Sequence, residues 1–131
     1  FLGTRTHAVE AARRTPNTAQ LYEPFLDMGI DLPDAIHGAR QVSDQLFIIA
    51  SGGIRHGMDA SRCLWLGADI AGIAGRALRA LEDENGTFHE GRLDDYLSDF
   101  IQQIKLSLFL TGNQSIANFK KMARICQENS D

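Results

Sequence analysis

Cysteine is scarce in this chain: Cys63 and Cys126 are the only two in 131 residues. Neither has the spacing of a metal site or a redox pair. That excludes a disulfide scaffold and reads both thiols as buried or incidental in a reducing cytosol. Long apolar runs are missing too. None approaches the roughly 20 residues of a membrane span, and the N-terminus lacks the charged, apolar, small-residue layout of a secretory signal. Positive charge is not in excess, with 13 Lys and Arg against 17 Asp and Glu and a net charge of -4. The basic residues are dispersed and leave no footprint for nucleic acid. His7, His37 and His89 have no metal spacing. There is no Gly-x-Ser-x-Gly, Walker-type loop or Cys/His nucleophile arrangement. The acids at Glu82, Asp83 and Glu84, and at Asp94, Asp95 and Asp99, read as solvated helix ends and faces rather than paired catalytic carboxylates. No catalytic residue and no metal ligand is assigned, and no internal repeat or low-complexity segment is visible.

What is present is concentrated between Phe47 and Gly75, which reads as strand, glycine turn, helix, strand, glycine turn. Phe47 to Ala50 is a continuous apolar run, as in a strand buried on both faces of a parallel sheet. Ser51, Gly52 and Gly53 follow at once. Asp59 to Leu66 carries Ala60, Cys63, Leu64 and Leu66 at helical spacing, and Gly67 sits where a helix end tolerates left-handed geometry. Asp59 suits a helix cap, His56 suits either a ligand contact or the surface, and Trp65 is expected to pack on a neighbouring element. A second apolar run, Ile70 to Ala74, ends in Gly75. Two parallel strands with glycine at their C-terminal ends make a phosphate site: bare N–H groups approach an anion and a helix N-terminus adds positive charge. Arg55 then pairs with the phosphate. The competing reading is an ordinary βαβ connection with Arg55 solvated, and two bare glycine-ended strands favour the first.

The hydrophobic fraction of 44% supports a packed core. At 131 residues the chain fits one domain by length, whereas a complete (β/α)₈ barrel needs roughly 250 residues. The opening Phe1-Leu2-Gly3-Thr4 reads as a strand tail and its glycine turn, and no initiator Met precedes it. Thr4 to Arg14 reads as a short helix ended before Pro16, and Thr15 to Ile30 as a loop beside the site. Asp31-Leu32-Pro33-Asp34 starts a helix running to about Val42, with Asp31 as N-cap and Pro33 in the first turn. Arg76 to Leu81 is helical. Arg92 to Leu110 is a long amphipathic helix with Leu93, Tyr96, Leu97, Phe100, Ile101, Ile104 and Leu108 on one stripe. After the stop at Thr111-Gly112-Asn113, Ser115 to Cys126 forms a last helix with Ile116, Phe119, Met122 and Ala123 inward.

The string Ser51-Gly52-Gly53-Ile54-Arg55-x-Gly57-x-Asp59, the step Leu66-Gly67-Ala68-Asp69, the ending Ile73-Ala74-Gly75 and the late Leu108-Phe109-Leu110-Thr111-Gly112 resemble the C-terminal third of type 2 isopentenyl-diphosphate isomerase. So does the loop with Glu23-Pro24-Phe25 and Gly29-Ile30. The first part of the pattern is shared with other FMN-dependent barrels, including 2-hydroxy-acid oxidases, and the Phe-Leu-Thr-Gly segment narrows it. The resemblance covers essentially the whole chain. It departs at Leu2, where the family has a further glycine, and at Arg5-Thr6-His7.

The resemblance implies an α/β fold, the last two strands and following helices of a (β/α)₈ barrel. Residues 1–131 would form part of an FMN-binding domain, and 90–127 its C-terminal helices. It implies a cytoplasmic, homo-oligomeric enzyme of isoprenoid biosynthesis. That enzyme interconverts isopentenyl and dimethylallyl diphosphate by a redox-neutral proton shift, with reduced FMN, Mg²⁺ and NAD(P)H. Carried onto this chain, Gly53, Ile54 and Arg55, with Ala74 and Gly75, hold the FMN phosphate, and Thr4 is a further flavin contact. The metal ligands and substrate-binding basic residues of the family fall before Phe1, so the segment alone is expected to be inactive and to associate with the remainder of the barrel. Other readings are a barrel oxidising a 2-hydroxy acid, for which no His and Arg pair can be placed, and a non-catalytic phosphate-binding or assembly module.

Overall fold

The computed structural model describes residues 20–25 and 28–128, with side chains through residue 123. The expected turn at Thr4, the helix from Thr4 to Arg14 and the side chain of Cys126 lie outside these residues. Within the segment read as a loop, Gln20–Phe25 forms a 3-10 helix; the fixed φ of Pro24 matches that conformation. There follow α1 (Leu32–Val42), β1 (Ile49–Ser51), α2 (Gly57–Trp65), β2 (Ile70–Gly72), α3 (Gly75–Leu81), α4 (Glu90–Leu110) and α5 (Ile116–Glu128). The strands pair in parallel, with Ile49 opposite Ile70, Ala50 opposite Ala71 and Ser51 opposite Gly72.

Helix α2 shows how the local sequence sets its own limits. It begins two residues earlier than the apolar spacing suggests, because His56 is the N-cap: its Nδ1 accepts the Asp59 N–H at 3.3 Å. Asp59, in the first turn, reaches back to accept the Arg55 N–H at 3.1 Å. These are reciprocal bonds of the capping-box kind. At the other end Gly67 is left-handed at φ 111°. The Gly67 N–H bonds the Leu64 carbonyl and the Ala68 N–H the Cys63 carbonyl, closing a Schellman turn.

Among the described residues the strands are buried on one face. Ala50 is 1% exposed, whereas Phe47, Ile49 and Ile70 are 69%, 62% and 48% exposed. The pleat sends Ile48, Ala50, Ala71 and Ile73 toward the core of Ile36, Ile54, Ala60, Cys63, Ala68 and Phe100. The opposite face has no cover among the described residues. The stripe on α4 is also narrower than its sequence suggests. Leu93, Tyr96, Phe100, Ile104 and Leu108 turn inward, while Leu97 and Ile101 lie outside the arc that α2 and α3 cover. On α5, Phe119 and Ala123 are buried and Ile116 and Met122 exposed. Trp65 packs as expected, its ring 4.9 Å from that of Phe119.

One carboxylate ties four parts of this layer together. Asp69 Oδ2 accepts Arg40 Nη2 at 2.6 Å and the Ile48 N–H at 2.9 Å, and Oδ1 accepts Lys120 Nζ at 2.7 Å. The Arg40 guanidinium also donates to the carbonyls of Gly67, Asp44 and Leu46. Lys120, then the Ile48 N–H and Arg40, hold the Asp69 carboxyl far below the ordinary carboxylate range against the opposing effect of burial. The α2–α4 contact depends instead on a missing side chain. A Cβ on Gly57 would lie 2.1 Å from the Phe100 carbonyl oxygen and 2.7 Å from Gln103 Cβ.

Three variants have expected outcomes in chemical denaturation. Gly57→Ala loses about 2 kcal/mol or more, because the clash is with backbone, whereas Gly38→Ala on α1, where the new Cβ meets nothing within 4 Å, gains about 0.5–1 kcal/mol. Asp69→Asn costs about 2 kcal/mol at neutral pH and changes the acid limb. The depressed Asp69 contributes stability that is full above about pH 4 and lost as pH falls through its lower folded value, and the asparagine variant lacks that loss.

Candidate phosphate-binding turns

Because Ser51 stands opposite Gly72, the segments that leave β1 and β2 emerge side by side from one end of the sheet. Both Gly52 and Gly53 are left-handed, at φ 99° and 77°, a conformation that a Cβ disfavours. The space over Gly53 is open, with nothing within 4 Å of a notional Cβ. After β2 the chain passes through Ile73 to Ala74, the N-cap position of α3, whose carbonyl accepts the Leu78 N–H at 2.9 Å. Gly75 is not left-handed, and a Cβ there would meet only Arg79 Nη2 at 3.8 Å. Neither backbone nor packing within the described residues demands glycine at 75.

Arg55 is flanked by two fixed peptide groups. Its N–H is bound by Asp59, and its carbonyl accepts the Tyr96 hydroxyl of α4 at 3.0 Å. Just ahead, the Ile54 side chain is sunk in the core, and just beyond, the Gly57 N–H donates to Gln103 Oε1 at 2.7 Å. No backbone hydrogen bond from the N–H of Gly53, Ile54 or Gly75 occurs among the described residues. These donors remain open to a ligand.

At the α2 N-terminus the Gly57 and Asp59 amides are bound within the protein and the Asp59 carboxylate lies beside Arg55. The amides without a backbone partner are those of Gly53 and Ile54 before α2 and of Gly75 at the start of α3. The Arg55 side chain is 62% exposed, with Nε 3.8 Å from Asp59 Oδ2. His56 acts as a cap. Burial raises the Tyr96 hydroxyl pKa, and Arg76, just beyond Gly75 in the chain, pulls the other way. The sequence reading missed Arg76, Tyr96 as a polar contact, and Gln103. Tyr96 sat on the apolar stripe, where an aromatic with a polar tip was a usable signal; Gln103 lay off it and had none.

Left-handed glycines and amides without a backbone partner suit an anionic group such as a phosphate ester. They do not suit a cation, and no group of three or more His, Cys, Asp or Glu that could hold a metal occurs among the described residues. A groove of about 430 Å³ between α1, α2, α4 and α5, walled by Met58, Trp65, Leu110 and Phe119, lacks such a convergence of donors.

Paired parallel strands flanked by helices define an α/β domain. Over residues 30–125 the sequence matches the FMN-dependent dehydrogenase family, and the chain belongs to that family. It is 34% identical over 121 residues to the isopentenyl-diphosphate delta-isomerase of Rickettsia bellii (strain RML369-C), an alignment covering 91% of this chain and 34% of that protein. The enzymes of the same name from Rickettsia felis (strain ATCC VR-1525 / URRWXCal2) and Rickettsia akari (strain Hartford) are 33% and 32% identical over 91% of this chain, and 33% and 34% of their own lengths. The chain spans about one third of the length of the curated relatives it matches.

The two glycines separate strain from space. In thermal or urea unfolding, Gly53→Ala is expected to cost about 1–2 kcal/mol, because its φ is left-handed, and Gly75→Ala to leave stability within about 0.5 kcal/mol.

Proposed function

We propose that this chain is the C-terminal part of a (β/α)₈ barrel and supplies the FMN phosphate site of a type 2 isopentenyl-diphosphate isomerase. The observation that carries the reading is the parallel pairing of β1 and β2, which sets two glycine-bearing turns side by side, with Gly53, Ile54 and Gly75 N–H groups that make no backbone hydrogen bond among the described residues. The family and the isomerase relatives support the cofactor and the reaction.

In this reading the amides of Gly53, Ile54 and Gly75 donate to the phosphate oxygens, the turn at Ala74 shapes the second loop, and the guanidiniums of Arg55 and Arg76 neutralise the charge. Arg55 does so by turning from Asp59, whose carboxylate keeps Arg62 at 3.7 Å. Thr4 is a third contact. Reduced FMN, when bound, supplies the acid–base chemistry that moves a proton along the isopentenyl chain without net oxidation. The chain's own residues bind and orient the phosphate; no catalytic group is assigned among them. Mg²⁺, NAD(P)H and the diphosphate substrate are held by other parts of the barrel, and the segment alone is inactive. The remainder of the barrel also pairs the strand edges and covers Phe47, Ile49 and Ile70, in a cytoplasmic homo-oligomer. Among the described residues no helix is long and apolar enough to cross a membrane.

Titration of FMN with riboflavin as the phosphate-free control, read by flavin fluorescence, tests the proposal. FMN is expected to bind more tightly, and Arg55→Ala to remove about ten-fold of that preference, the scale of one charge-assisted hydrogen bond. Equal binding of the two flavins, or an Arg55→Ala variant that keeps the full preference, contradicts it.

A further inference from the structure

We infer that Tyr96, on α4 and outside both turns, is a positioning residue for the phosphate site; the inference rests on the reading of those turns as an FMN phosphate cradle. Three restraints converge on three consecutive residues, Ile54, Arg55 and His56. The Ile54 side chain is buried in the core. The peptide group between Ile54 and Arg55 is held through its N–H by the Asp59 carboxylate at 3.1 Å. The next, between Arg55 and His56, is held through its carbonyl by the Tyr96 hydroxyl at 3.0 Å.

Asp59 is local, four residues along the chain. Tyr96 comes from 41 residues away, so it ties the turn to a different helix. With these groups fixed, the Ile54 N–H keeps one direction while the left-handed Gly52 and Gly53 before it could otherwise swing. A turn that already holds its amides in the bound arrangement loses less freedom when the anion arrives.

The tyrosine ring and its hydroxyl have separable roles. The ring packs 6.1 Å from that of Phe100, within the α4 stripe, and a phenylalanine keeps that contact. The hydroxyl bonds the Arg55 carbonyl at the half-exposed edge of the site. It touches the turn and not the phosphate. Its removal is therefore expected to change phosphate recognition while leaving the fold and the flavin ring's contacts intact.

The test is FMN and riboflavin titration of the full chain, wild type and Tyr96→Phe, alongside thermal unfolding of both. FMN binding is expected to weaken about five- to ten-fold in the variant, with riboflavin binding unchanged and the melting temperature within about two degrees. Unchanged FMN binding overturns the inference, and so does an equal loss for both flavins, which marks a merely structural hydroxyl. Wild type that binds the two flavins alike overturns instead the cradle reading beneath it.

Discussion

The Asp69 carboxylate is the constraint on which the arrangement depends. It stands between α2 and β2, where the Schellman turn at Gly67 delivers the chain, and it is bonded at once from α1, from the residue that leads into β1, and from α5. Its backbone joins in, because the Asp69 N–H donates to the Ile48 carbonyl at 2.8 Å. Side chain and main chain together align residue 48 with residue 69, the first rung of the parallel register. Once that rung is set, Ser51 must face Gly72 and the glycine turns must emerge together. Such short strands have little ladder of their own to fix a register. A carboxylate with three charge-assisted or amide partners, one of them an arginine that itself holds three carbonyls, supplies what the ladder lacks.

A second constraint is the close approach of α2 to α4 at Gly57. It brings Tyr96 and Gln103 within reach of the Arg55–Gly57 turn, so the outer helix packs the layer and restrains the site at once. Among the described residues the other face of the sheet has no such support. Phe47, Ile49 and Ile70 present apolar surface there, and a two-stranded sheet open on one side is marginal alone. The barrel proposed above would cover that face.

Much of this was legible in the residues. Glycines 52, 53, 67 and 75 marked the strand ends and the helix stop, and the apolar runs at 47–50 and 70–74 placed both strands to within two residues. Periodicity over 92–110 found α4, though not how wide an arc its neighbours would cover, so Leu97 and Ile101 were assigned inward. The capping of α2 was misplaced by three residues, because histidine is an uncommon cap and Asp59 a common one. Least legible was the hub. Arg40, Asp69 and Lys120 are 29 and 51 residues apart, and no local pattern distinguishes them from solvated charges. The same holds for Gln103, whose bond to Gly57 exists only after the helices meet.

The central claim is that the amides of the two turns bind phosphate as one site. An amide proton–nitrogen spectrum of ¹⁵N-labelled protein, recorded as FMN and then riboflavin are added, tests this most directly. The account predicts that Gly53, Ile54 and Gly75 shift together, along one saturating curve, with FMN and not with riboflavin. Shifts confined to one turn, or centred on the groove at Trp65 and Phe119, would contradict it.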